Sequence, residues 1–464
     1  MRAVPKAANA SAFQRYAWLW QLLFIAAHGP LAMLIRKGSP YATWHARAVL
    51  VVGIIVALRK RSFAGVACVV AYITGAEVFW RMRKAEVPWE FGKYAVVLIL
   101  LVSLLRNARP RRTWMPLAYF LLLIPSSILT FYGLDAAGAR DQISFNLSGP
   151  LAVAVCITFF HSLRFSKDEL RWIYASYIGP VLAIGWSAAT LLSQFQPDEF
   201  GNDSNALASG GYGPNQVAAV LGLGILLTFF WLVLGAGNTF ASGALGLLIL
   251  FLFRQCVITF SRGGIYMAVG GMLAAGFYLA RDRRTRMRLA TGALLILPIV
   301  IFVVWPRLEA MTSGVIAERF SDTQLTGRDK LIRADLESWA ESPVLGVGPG
   351  LGNENRLKYS KAAAAHTEYT RLLAEHGLLG LAALILTGWM ALSIFRSAPT
   401  RLDKALAAGL LAFALLSMVV DGMRLVAVAF TFGMAAAHLV RPRRAAPAAS
   451  APPARVVRSV VSRA

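Results

Sequence analysis

Acidic residues are scarce in this sequence. Its 464 residues hold 23 Asp and Glu against 47 Lys and Arg, a formal net charge of +24, and charged residues make up only 15% of the chain. With 57% hydrophobic residues it is too apolar for a soluble globular domain. Cysteine is nearly missing: Cys68, Cys156 and Cys256 all fall inside apolar runs, which argues against a disulfide framework and a thiolate metal site. No H-E-x-x-H or D-x-D pattern occurs, so no metal and no other cofactor is expected in catalysis. The apolar runs do not alternate with period two, which excludes a membrane β-barrel. The first of them, "YAWLWQLLFIAAHGPLAMLI", has no small-residue cleavage site and reads as a retained helix.

Long apolar runs remain, recurring from near the N-terminus to about residue 440, each close to the roughly 20 residues that a helix needs to cross a bilayer. They predict an all-α polytopic membrane protein with about 12, and up to 14, transmembrane helices; the candidate segments include 16–35, 114–132, 215–235, 404–420 and 424–440. Alternating them puts the Arg59 to Arg61 cluster, "RFSKDELR", "RDRRTRMR" and "RPRR" on one side, cytoplasmic by the positive-inside rule. The basic charge therefore reports topology and contact with membrane lipids, with no nucleic acid partner. "RMRKAEVPWEFGK", residues 81–93, is the exception: it lands outside, as a re-entrant connection or an anion-binding loop. The chain divides into an N-terminal helix bundle (1–305), a large, mainly helical outer loop (306–376), C-terminal transmembrane helices (377–440) and a basic tail expected to be disordered (441–464). A loop of that length in a tightly connected bundle is usually functional.

Four motifs face that side. "SRGG", Ser261 to Gly264, is either a tight turn with Arg262 snorkelling to headgroups or an arginine held for an anionic ligand that approaches over the glycines. "TGRDK" puts Arg328 at the start of a predicted helix, where a solvated charged face is the alternative. "SPVLGVGPGLGNE" does not fit G-x-G-x-x-G, which argues against a dinucleotide site; it reads as a loop that positions its neighbours or offers amides to an anion. In "HTEYTRLLAEHGLLG", residues 366–380, His366, Tyr369, Thr370 and Leu373 share one helical face. His366 is either a satisfied interfacial histidine or a general base. Asn215, in "GYGPNQVAA", is either a helix-start residue after Pro214 or a contact for sugar or pyrophosphate at a helix N-terminus.

The order "TFSRGG", "TGR", Trp339 with "SPVLGVGPG", then "HTEYTRLLAEHGLLG" resembles the bacterial O-antigen ligase and polymerase superfamily over roughly residues 255–395. The resemblance implies a metal- and nucleotide-independent glycosyltransferase at the periplasmic face of the inner membrane. Its donor would be an O-antigen glycan on undecaprenyl pyrophosphate and, in the ligase branch, its acceptor a sugar hydroxyl of lipid A core. His366 matches the family's essential histidine, and Arg262 and Arg328 match its essential outer-face arginines. On that basis His366 takes the acceptor proton, Arg262 and Arg328 clamp the pyrophosphate, and Tyr369 and Asn215 contact substrate. An O-antigen polymerase and a protein O-oligosaccharyltransferase use the same donor. From another class, a lipid or polysaccharide transporter would use Arg254, Asp421 and Arg424 as pathway residues.

Overall fold

The computed structural model describes residues 16–107, 113–193, 204–322, 328–359, 365, 367–420 and 422–440. In chain order its helices are α1 (Ala17–Ala26), α2 (His28–Ile35), α3 (Ser39–Leu58), α4 (Phe63–Met82), α5 (Phe91–Arg106), α6 (Met115–Leu122), α7 (Ser127–Gly133), α8 (Ala136–Phe160), α9 (Lys167–Leu192), α10 (Pro214–Leu234), α11 (Thr239–Ile258), α12 (Arg262–Leu279), α13 (Arg283–Ile299), α14 (Trp305–Met311), α15 (Val315–Ser321), α16 (Arg328–Glu341), α17 (Gly352–Leu357), α18 (Glu368–Ser397), α19 (Arg401–Val420) and α20 (Ala427–Ala435). Among the described residues, eleven helical stretches are long and apolar enough to cross a membrane. The protein is an all-α polytopic membrane protein.

Local signals in the sequence set where these helices start. Ser166 and Glu169 form a reciprocal capping box: the Glu169 amide donates to Ser166 Oγ at 3.2 Å and the Ser166 amide to Glu169 Oε2 at 2.7 Å. Asp135, Asn238 and Asp282 accept amide hydrogen bonds at the starts of α8, α11 and α13. Proline opens α10, where its missing N–H costs nothing.

The bundle is held by close backbone approach and by a buried polar chain. A Cβ on Gly264 would lie 2.1 Å from the Ala218 carbonyl oxygen, so α10 and α12 meet backbone to backbone. The second glycine of "SRGG" therefore lies inside a helix and serves packing, in place of the turn or ligand approach expected from sequence. Elsewhere, Trp80 Nε1 donates to His45 Nδ1 at 2.8 Å, so His45 carries its proton on Nε2 and donates to Tyr72 Oη at 2.9 Å. His28 Nδ1 donates to the Phe24 carbonyl at 2.8 Å, which leaves its Nε2 to accept from the Tyr72 hydroxyl at 3.1 Å. Every group in this chain is satisfied with both histidines neutral, and it links α1 and α2 to α3 and α4.

Several expected segments are broken. The stretch 114–132 divides into α6 and α7 around Pro125, because proline cannot donate within a helix. The stretch 424–440 holds only the nine-residue α20, too short to span alone, followed by β2 (His438–Leu439). β2 pairs in parallel with β1 (Arg164–Phe165), which links α8 to α9. The expected boundary at 305 is not a break: α13 runs through a widened turn at Val300–Val304 into α14, a rod with no buried residue before Leu308.

Candidate functional site

The site is organised by a kink. α18 begins with a buried segment that ends at Gly377, whose φ of 56° and ψ of −135° interrupt the helix. A Cβ there would lie 2.5 Å from the Pro343 carbonyl oxygen, so the position requires glycine. The glycine-rich loop fills the gap: the Val347 amide donates to Ala374 O at 2.9 Å, the Gly348 amide to Glu375 O at 3.1 Å, and the Leu378 amide to Pro343 O at 2.8 Å. The loop positions its neighbour, as one reading expected, and these two loop amides are spent on helix carbonyls and so are not offered to an anion.

Glu368, Arg371 and Glu375 fall on one face of this segment, at spacings of three and four residues. Arg371 Nη1 donates to Glu375 Oε2 at 2.7 Å and to Asn146 Oδ1 at 2.9 Å, Nε donates to Glu368 Oε2 at 3.1 Å, and Nη2 is bonded to Glu368 Oε1. Arg356, from α17, donates to Asp335 at 2.6 Å, Asn353 at 3.0 Å and Glu375 at 3.3 Å. The Thr370 hydroxyl closes the cluster on Asp335 at 2.7 Å. Burial raises the Asp335 carboxyl above its usual range, against the opposing pull of Arg356.

This network forms one wall of a cavity of about 650 Å³, within the size range of small-molecule sites. Pro88, Trp89 and Glu90 form a second wall, residues 141–146 of α8 a third, and Gly422, Met423 and Arg424 a fourth. Trp89 is held by Arg81, which donates to its carbonyl at 2.8 Å and lies 4.7 Å from its ring centre. The basic loop 81–93 is thus part of the cavity. Beneath Phe145, which lines it, Lys93 Nζ lies 5.5 Å from the ring and is fully buried with no hydrogen-bond acceptor among the described residues.

The sequence candidates divide between two places. His366 lies outside the described residues, but Ala365 and Glu368, on either side of it in the chain, both line the cavity. Arg262 is half-buried and bonded through Nη1 to the Asp322 carbonyl. Asn215 Oδ1 accepts from the Ser261 hydroxyl at 2.8 Å, so Asn215 and the "SRGG" motif are brought together. Arg328 opens α16, half-buried. Arg262, Arg328 and Asn215 do not line the cavity; the connection runs through Gln216, next to Asn215, whose Oε1 accepts from Arg81 at 3.0 Å. Tyr369 donates its hydroxyl to the Leu415 carbonyl at 3.2 Å, toward α19. Asp421 lies outside the described residues.

Arg356, Arg371 and Trp89 were not singled out from sequence. A signal existed for Arg371, a cation three and four residues from two carboxylates just before an apolar run. Arg319, on α15, is buried and donates to the Phe260 carbonyl at 3.2 Å.

Residues 245–385 match a family model described as O-antigen ligase. Over those residues the chain carries an O-antigen ligase domain. No curated protein matches it. The superfamily's chemistry is glycosyl transfer of the O-antigen ligase and polymerase type, with lipid-linked glycans as substrates. The matched O-antigen ligase segment contains Arg262, Arg328, Arg356, His366 and Arg371, while Trp89, residues 141–146 and Arg424 build the cavity from outside it.

Proposed function

We propose that this protein is an O-antigen ligase that transfers a glycan from undecaprenyl pyrophosphate to a sugar hydroxyl of lipid A core, at the periplasmic face of the bacterial inner membrane. The observation that carries this reading is the 650 Å³ cavity whose wall includes both Ala365 and Glu368, which flank His366 in the chain. His366 accepts the proton of the attacking hydroxyl, a role typically worth about 10²- to 10⁴-fold in rate. The hydroxyl oxygen bonds to the anomeric carbon as the bond to the pyrophosphate breaks, and direct attack inverts that centre. Arg262 and Arg328 hold the pyrophosphate as charge grows on it, and Asn215 and Tyr369 contact substrate. The pyrophosphate leaving group already carries the activation, so neither ATP nor a metal ion enters the scheme.

The test is reconstitution of purified protein with an undecaprenyl-pyrophosphate glycan and, separately, lipid A core, a second lipid-linked glycan or a pilin-like protein. Transfer to lipid A core that disappears in His366→Ala, with the variant still folded and inserted, is the expected result. Preferred transfer to the second glycan would make the protein a polymerase, and an unimpaired His366→Ala variant would remove the proposed base.

A further inference from the structure

Three guanidinium groups line the cavity, and they are not equivalent. Arg371 has every one of its nitrogens engaged by Glu368, Glu375 and Asn146, and Arg356 is held by Asp335, Glu375 and Asn353. Together they face three carboxylates with two positive charges, so this wall has no surplus charge with which to attract an anion. Arg424 differs. Its side chain donates from Nη2 to the Ala365 carbonyl at 2.5 Å, and among the described residues no carboxylate lies within ion-pair distance. A guanidinium has five N–H donors, so most of those on Arg424 have no partner among the described residues.

The turn that carries Arg424 is fixed from both sides. Glu368 Oε2 accepts from the Met423 amide at 3.3 Å, and Glu77 Oε2 accepts from the Val426 amide at 2.8 Å. Arg81 adds a 3.5 Å contact to the Arg424 carbonyl. Gly422, at φ 62°, lets the chain turn between α19 and α20. In sequence, Arg424 interrupts "MVVDGMRLVAVAF", an apolar stretch in which an ionisable residue is costly unless it has a task. A cation held in place on a cavity wall, with spare donors in a planar fork, matches the geometry of a phosphoryl group.

We infer that Arg424 is a phosphoryl-binding residue of the cavity, separate from Arg262 and Arg328, and that it takes a phosphate group of one of the two glycolipid substrates. The inference rests on the glycosyl-transfer reading for its choice of substrates, but not for the existence of the site. The phosphoryl group is either the donor's pyrophosphate or a phosphate on the acceptor glycolipid.

The experiment is titration of the full-length, detergent-solubilised protein with inorganic pyrophosphate and with orthophosphate, followed by steady-state glycan transfer. Wild-type protein is expected to bind pyrophosphate, and Arg424→Ala to bind it about tenfold or more weakly, as for lost charge-assisted hydrogen bonds. Arg424→Gln, which keeps a donor for Ala365 but no charge, should show the same loss, and Arg424→Lys a partial recovery. Arg333→Ala, in an exposed pair with Glu337 away from the cavity, should bind as wild type. A raised donor KM with an unchanged acceptor KM assigns the group to the donor; a raised KM only for phosphorylated acceptor assigns it to the acceptor. Equal pyrophosphate binding by wild type and Arg424→Gln, or no binding by wild type, overturns the inference. Loss of binding in Arg424→Gln when wild-type protein transfers no glycan leaves the phosphoryl site standing and removes the ligase reading.

Discussion

Arg371 Nη1 donates to Glu375 Oε2 at 2.7 Å, one helical turn away along a buried segment. Each is under 10% exposed, and each also binds a further ion, Arg371 to Glu368 and Glu375 to Arg356. Removing one member of such a cluster strands the rest. Arg371→Met is therefore expected to cost about 3–5 kcal/mol, because it leaves Glu368 and Glu375 without their shared cation. Thermal melting of the purified variant checks this, and a melting temperature equal to wild type would show that water or a rearranged Arg356 compensates.

Gly377→Ala is expected to destabilise the protein by at least about 2 kcal/mol and to reduce glycan transfer sharply. The new methyl would meet the Pro343 carbonyl and dislodge the 343–348 loop from the segment that follows His366. Gly388→Ala, farther along α18 with no atom within 4 Å of the added methyl, is the matched control and should be neutral or slightly stabilising. Equal activity in the two variants would dissociate the kink from catalysis.

Tyr72→Phe removes the hydroxyl that accepts from His45 and donates to His28. Each orphaned buried group costs about 1–3 kcal/mol. The expected result is a lower melting temperature with unchanged KM for donor and acceptor, since none of these residues lines the cavity. A changed KM would connect the helix packing of the N-terminal bundle to the site.

EDTA is expected to leave transfer by the purified protein intact, since the pyrophosphate leaving group is met by arginines in the proposed scheme. Among the described residues no group of three or more His, Cys, Asp or Glu side chains is arranged to hold a metal ion. Loss of activity in EDTA, restored by magnesium or manganese, would contradict the scheme.

Hydropathy revealed most of the architecture because a bilayer rewards apolar length directly. It failed at 424–440, where composition suits a span but the Gly422 turn leaves only the nine-residue α20, whereas 114–132 remains a spanning stretch with a break at Pro125. The glycine-rich loop was legible as a positioning element, and Gly377 as a transition, because glycine spacing and the start of an apolar run are local signals. The cavity was not legible, since its walls come from Trp89 and its neighbours, from Asp141 to Asn146, from Asn353, Arg356, Ala365, Glu368 and Arg371, and from Gly422 to Arg424, which no periodicity relates. Arg424 stood out only as a charge in an apolar run, and its significance depended on Arg371 and Arg356 being engaged elsewhere.

The pairing of β1 with β2 has a topological consequence. α8 enters the cavity wall at residues 141–146 and leaves at Phe160, directly before β1. Fifteen residues of helix from Phe145 to Phe160 cover roughly 22 Å, most of the hydrocarbon thickness. The two ends of this helix thus lie near opposite membrane faces, and β2 holds the end of the described chain at the face away from the cavity. A reporter placed directly after Val440 is therefore expected to register the compartment opposite the one that the cavity faces, and a single fusion of this kind would orient the bundle.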